Sequence, residues 1–81
     1  MGKIIRNRDG TISTDKRTLR AAIIARYLAE SPKDCTEELH RKINALVEKA
    51  FGGKETDMFT AAKLDEETTL NAIDELIENE K

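Results

Sequence analysis

The chain has 81 residues, of which 37% are charged and only 4% aromatic, and its formal net charge is −2. This length fits a single domain over residues 1–81 and is too short for a two-domain enzyme. The core of so small a domain leaves little room for a deep pocket. No apolar run approaches the roughly 20 residues that span a bilayer, so we expect no membrane association. The single cysteine, Cys35, and an N-terminus without an apolar signal segment favour a cytoplasmic protein.

The first fourteen residues are predicted to form a β-hairpin. Two β-prone stretches, 3–6 and 11–14, flank the sequence Asn7-Arg8-Asp9-Gly10. Asn and Asp favour a type I turn, and Gly10 can adopt the left-handed conformation that follows such a turn. Because an isolated hairpin is marginal in water, it must lie on the helices or pair with another strand.

A helical bundle is predicted over residues 15–81. Its first helix runs from about Asp15 to Glu30, with Thr14 as the N-cap. One side of this helix is a stripe of large apolar residues, and the other side is rich in alanine, which permits close approach of a neighbour. The stripe consists of Leu19, Ile23, Ile24, Tyr27 and Leu28.

The second helix has two candidate starting points. Either Ser31 caps it, with Pro32 as its first residue, or the helix begins nearer Thr36. It is predicted to run to Phe51, with Gly52 as a left-handed residue after its end. Two pairs of opposite charge, Glu37–Arg41 and Glu38–Lys42, are spaced to interact on its outer face.

The chain between Lys54 and Lys63 is ambiguous, and Met58, Phe59 and Ala62 are expected to form one short apolar turn. A third helix is predicted from about Glu66 to Glu78 with Asp65 as N-cap. Its core stripe is Leu70, Ile73, Leu76 and Ile77. The fold class is therefore mainly α, with an N-terminal β-hairpin and a three-helix bundle; a four-helix bundle is the alternative.

The near-neutral net charge conceals a gradient along the chain. Residues 1–26 carry seven Lys or Arg against two Asp, and residues 27–54 carry five charges of each sign. Residues 55–81 carry nine Asp or Glu against two Lys. Such asymmetry indicates two electrostatically distinct surfaces, unless the two ends attract one another within the fold or between subunits.

The acidic helix is the first candidate functional surface. Glu67, Asp74, Glu75 and Glu78 share one side, and we expect few internal cations to neutralise them. A basic groove on a nucleic-acid-handling protein would suit this face, because the carboxylates would act as a DNA mimic. A well-solvated surface is the simpler alternative.

The basic N-terminal third is the second candidate. The predicted order of one strand followed by two helices, over residues 3–51, resembles the ribbon-helix-helix family of DNA-binding proteins. The resemblance implies an intertwined dimer whose paired strands enter the major groove. The sequence departs from that pattern in its hairpin, in the Ser31-Pro32-Lys33-Asp34 turn and in its third, acidic helix. The residues predicted to contact phosphates are Arg6, Arg8, Lys16, Arg17 and Arg20.

No catalytic, cofactor or metal site is predicted. His40 is the only histidine, and no second Cys or His is present to complete a zinc site. We expect a non-enzymatic regulatory or inhibitory protein, of phage or mobile-element style, that binds a protein partner through the acidic face. The alternative is a dimeric DNA-binding transcriptional regulator. A third alternative is an oligomeric scaffold, such as a homodimer, built through the alanine side of the first helix.

Overall fold

A computed structural model describes residues 3–31, 34–53 and 57–80. It confirms a mostly helical chain with an N-terminal hairpin and, within the described residues, three α-helices. It adds a third strand, which closes a small antiparallel sheet in the order β1-β2-β3. The elements are β1 (Ile5–Arg6), β2 (Thr11–Thr14), α1 (Lys16–Glu30), α2 (Glu37–Ala50), β3 (Ala62–Asp65) and α3 (Glu66–Glu80).

The hairpin turn forms as the sequence predicts. The Asn7 amide donates to the Thr11 carbonyl at 2.8 Å, and Gly10 has a φ of 84°. The Asp9 carboxylate accepts from the amide and the hydroxyl of Thr11, so it fixes the turn from its own side chain. The hydrogen bond from the Thr11 hydroxyl is the main cause that lowers the pKa of Asp9, and the bond from the Thr11 amide lowers it further.

The third strand corrects the expectation of a short apolar turn between Lys54 and Lys63. Ala62 begins β3, whereas Met58 and Phe59 are exposed. The Asp57 carboxylate accepts hydrogen bonds from the amides of Phe59 and Thr60 and so holds the turn before the strand. Residues 54–56 lie outside the described residues. The local sequence does not predict β3, because the strand that pairs with it, β2, lies about fifty residues away in the chain.

The two faces of the sheet differ in environment. Arg6, Ile12 and Leu64 are opposite one another in register and share the inner face, which the helices cover. Ile5, Ser13 and Lys63 share the outer face, where Ile5 and Lys63 are exposed. Both edges of β2 are occupied, by β1 and β3, so the strand that leads into the helices cannot pair with a second chain. This differs from the single strand that the ribbon-helix-helix resemblance implies.

Helix α1 begins one residue later than predicted. Asp15 is its N-cap and accepts from the Thr18 amide at 2.7 Å, whereas Thr14 is buried as the last residue of β2. The prediction that Leu28 belongs to the buried apolar stripe is wrong, because Leu28 is 49% exposed. Lys16, three residues before Leu19, is instead buried on the inner side of the helix.

Helix α2 takes the second of its two candidate starts. Thr36 is the N-cap and accepts from the Leu39 amide at 3.1 Å; Pro32 and Lys33 lie outside the described residues. The helix ends at Ala50, and the next residue, Phe51, is buried as its C-cap. Gly52 has a φ of 70°, the left-handed conformation predicted for it. Both predicted i,i+4 ion pairs on the outer face form.

Helix α3 extends two residues beyond its predicted end. Asp65 accepts from the Thr68 amide at 2.9 Å, as expected of the N-cap, and the side-chain and backbone hydrogen bonds of Thr68 lower the pKa of Asp65. Leu70, predicted in the core, is 44% exposed, and Thr69 is buried in its place. The reason is tertiary: α3 continues directly from β3, and this junction fixes which side of the helix faces the sheet.

One hydrophobic core joins every helix to β2 and β3. Its buried residues are Ile12, Leu19, Ile23, Tyr27, Leu39, Ile43, Val47, Phe51, Leu64, Ile73 and Ile77. The core is mostly aliphatic, as the low aromatic content predicts, and Tyr27 and Phe51 are its two aromatic members.

Candidate functional site

The acidic face of α3 is exposed to solvent. It consists of Glu67, Asp74, Glu75 and Glu78, all classed as exposed. At 3.6 residues per turn these positions fall within about 100° of arc, opposite Thr69, Ile73 and Ile77, which anchor the helix. Glu67 and Glu78 are about 16 Å apart along the helix axis. The structure therefore brings the predicted acidic residues together on one side of a well-anchored helix.

Cations from distant parts of the chain contact α3, which corrects the expectation of few internal counter-charges. Arg26 of α1 forms an ion pair with Asp74, and Glu78 also has an interaction within the chain. Hydrogen bonds to Glu30 and Asp74 raise the pKa of Arg26. Part of the charge gradient along the sequence is thus compensated inside the fold.

Two further ion pairs bracket the same helix. Arg6 of β1 contacts Glu66, the first residue of α3, at 2.7 Å. Lys42 of α2 contacts Glu80, the last residue of α3. The hydrogen bond to Glu80 raises the pKa of Lys42. The Arg6 and Lys42 side chains of these pairs are 79% and 46% exposed, so water and salt screen both ion pairs and each contributes little to stability. They nevertheless leave the acidic face between them as the most negative part of α3.

The predicted phosphate-binding residues come from two separate segments of the chain. Arg6 and Arg8 lie at the turn end of the hairpin, whereas Arg17 and Arg20 lie on α1 beyond the other end of β2. The Arg17 guanidinium stacks on the Phe59 ring at 5.5 Å, and the Nε of Arg20 is buried with no hydrogen-bond partner among the described residues.

Lys16 drops out of that predicted set because the fold buries it. It is 4% exposed, its Nζ lies 3.0 Å from the Glu48 carboxylate, and it sits 5.9 Å from the centre of the Phe51 ring. Lys16 thus joins the start of α1 to the end of α2. An ammonium in this position cannot reach a phosphate on a nucleic acid.

An apolar groove lies between α1 and α3, next to β1. Its volume is about 270 Å³, and Ile4, Ala22, Leu70 and Ile73 contribute to its walls. This is slightly smaller than the roughly 300–1,000 Å³ typical of small-molecule sites, so the groove is of a size for protein side chains. Sequence reasoning missed it, because residues from four separate elements form it and Leu70 was assigned to the core.

The remaining reactive side chains do not combine into a site. His40 and Cys35 are both partly buried, and Cys35 packs against the core. The Nδ1 atom of His40 is buried and has no hydrogen-bond partner in the described structure. Over residues 3–31, 34–53 and 57–80, no group of His, Cys, Asp and Glu side chains has the arrangement of a metal site.

The acidic face and the apolar groove are neighbours, since Leu70 borders the groove one turn after Glu67. None of the described helices is long and apolar enough to cross a bilayer. Comparisons of the chain with protein-family models, with curated proteins and with solved structures found no significant match.

Proposed function

We propose that this chain is a small, non-enzymatic regulatory protein that binds a protein partner through the acidic face of α3. The observation that supports this most is the exposure of Glu67, Asp74, Glu75 and Glu78 on one side of a helix whose opposite side is buried. A helix fixed in this way presents its charges without first having to fold, which lowers the entropic cost of binding.

The chemistry of the face indicates a basic partner. Helix α3 contains no Lys or Arg between Glu66 and Glu80, so its own sequence offers no neutralising charge. A positive surface on the partner, such as the groove of a nucleic-acid-handling protein, would be attracted over roughly a Debye length, about 8 Å in physiological salt. Binding would occlude the positive groove of the partner. A reducing cytoplasm is the setting that suits the unpaired Cys35.

Charge reversal with a matched control tests the proposal. The variant Glu67→Lys/Glu75→Lys changes the acidic face, and Glu37→Lys/Glu38→Lys makes the same change in net charge on the exposed side of α2. Partners are captured from the native cell with and without nuclease, identified, and their affinities measured for both variants. We expect at least a tenfold loss for the α3 variant only, with unchanged helicity.

Equal binding by the wild type and the α3 variant would contradict the proposal. Recovery that depends on intact nucleic acid would instead support the DNA-binding alternative. With Lys16 buried, that alternative rests on Arg6, Arg8, Arg17 and Arg20, and it predicts a salt-sensitive gel shift that weakens when Arg6 and Arg8 become Ala.

A further inference from the structure

The apolar groove described above adjoins an acidic cleft that lies between the hairpin turn and α3. The walls of this cleft carry five carboxylates against two guanidinium groups. The carboxylates are those of Asp9, Asp65, Glu66, Glu67 and Asp74, and the guanidinium groups are those of Arg6 and Arg8. Because Arg6, Glu66 and Leu70 line both the groove and the cleft, the two form one continuous surface.

The groove has room for an aliphatic side chain. Leu70 is 44% exposed and Ile4 is 40% exposed, and both contribute to its walls. The deeper lining belongs to the core and includes Ile12, Leu19, Ile23 and Ile73. An aliphatic side chain seated between Leu70 and Ile4 removes apolar surface of both from water, and this burial favours occupation of the groove.

Carboxylates lie on either side of Leu70 along α3. Glu67 is three residues before Leu70 and Asp74 is four residues after it, so all three share one side of the helix, with neighbouring Cβ atoms about 5–6 Å apart. The two arginines that line the groove, Arg6 and Arg26, are each paired with a carboxylate of α3. Glu67 has no ion pair within the described residues. The charge around the groove therefore favours an occupant with positive charge beside its apolar side chain.

We propose that the groove takes an aliphatic side chain of the protein partner, from a segment in which Lys or Arg flanks that side chain on both sides. This inference rests on the proposed function and deepens it, because it names the kind of partner segment that the acidic face binds. The aliphatic side chain packs between Ile4 and Leu70, and one flanking cation pairs with Glu67. Charge speeds the encounter of such a segment with the surface, and apolar burial slows its release.

Titration of the full chain with three short synthetic peptides, followed by the NMR chemical shifts of its backbone amides, tests the inference. The first peptide has a leucine with lysines on both sides. The second has serine in place of the leucine, and the third has serine in place of the lysines. We expect the first to bind at least tenfold tighter than either of the others, because both the buried leucine and the lysines strengthen binding. The shifts that it causes should centre on Ala22, Glu67 and Leu70.

Two substitutions with matched controls locate the leucine. Leu70→Ala shortens a wall of the groove, and Leu28→Ala removes a leucine that is 49% exposed on α1 and does not line the groove. Ala22→Met fills the groove from α1, and Ala25→Met makes the same change at an exposed residue of that helix. Leu70→Ala and Ala22→Met should abolish the preference for leucine over serine, whereas both controls should keep it. Circular dichroism checks that every variant retains its helicity.

The outcomes separate this inference from the proposed function. No saturable binding of the first peptide, equal affinity of the leucine and serine peptides, or a leucine preference that survives both groove variants would overturn the inference. The proposed function would still stand if Glu67→Lys/Glu75→Lys weakened binding of the captured partner. Lysine peptides that bind this charge-reversed variant as tightly as they bind the wild type would contradict the proposed function and the inference together.

Discussion

The ion pair between Lys16 and Glu48 predicts that substitutions of its two members have unequal effects on stability. Their charged groups are 3.0 Å apart, but the Lys16 side chain is 5% exposed whereas that of Glu48 is 57% exposed. Removing the lysine charge leaves a carboxylate that water can solvate. Removing the carboxylate takes a charged partner from a buried ammonium, and water cannot replace that partner, which is the costly case.

The magnitudes follow from this asymmetry. Glu48→Ala should reduce the free energy of unfolding by about 1–3 kcal/mol, below the 3–5 kcal/mol of a fully buried pair because one partner is solvated. Lys16→Met keeps the aliphatic contact with Phe51 and removes a positive charge from the first residue of α1, where the helix dipole disfavours it. It should remain within about 1 kcal/mol of the wild type.

Urea and thermal unfolding followed by far-ultraviolet circular dichroism measure both effects. A loss of about 2 kcal/mol lowers the Tm of a domain this size by about 8–16 °C. The double variant should be more stable than Glu48→Ala alone, because it no longer buries an ammonium that has lost the Glu48 carboxylate. A Glu48→Ala protein as stable as the wild type, or a Lys16→Met protein less stable than Glu48→Ala, would refute the reasoning.

Three further predictions concern the core, a helix cap and acid stability. Ile43 is fully buried, so Ile43→Ala should cost about 2–5 kcal/mol in urea unfolding, and a loss below 1 kcal/mol would show that the core is not packed as described. Asp15→Ala removes the acceptor for the Thr18 amide and should cost about 1 kcal/mol, whereas no change would place the helix start elsewhere. The pKa of Asp65 is lowered by its hydrogen bonds to Thr68, so its contribution is complete above the unfolded-state value near 3.9 and is lost as pH falls through the lower folded-state value. Thermal melts of Asp65→Asn, which keeps an acceptor at the cap, should therefore fall less steeply with pH below about 4 than those of the wild type, and parallel curves would contradict this.

Local signals predicted most of the secondary structure correctly. The Asn7–Gly10 turn, the Asp65 cap and the left-handed Gly52 each depend on interactions within a few residues, and the structure shows all three. The errors at Leu28 and Leu70 have a common cause. Both residues fit the apolar periodicity of their helices, but only the packing of the helix on its neighbours decides which side faces inward.

Candidate surfaces were harder to predict than elements. The spacing of Glu67, Asp74 and Glu78 places them on one side of any helix, so the acidic face could be inferred before the fold was known. Lys16 could not be separated from the other cations by sequence, because its burial depends on Glu48, thirty-two residues away. The groove beside β1 could not be predicted either, since it forms only where β1, β2, α1 and α3 meet.

By itself the sequence determined the class of the fold, the hairpin, the acidic face and the segregation of charge, because each of these depends on composition or on short-range spacing. The tertiary structure decided how that charge is used. It pairs Arg6, Arg26 and Lys42 with carboxylates of α3, it buries Lys16, and it places an apolar groove beside the acidic face. These outcomes depend on contacts between residues far apart in the chain, and such contacts exist only once the helices have packed on the sheet.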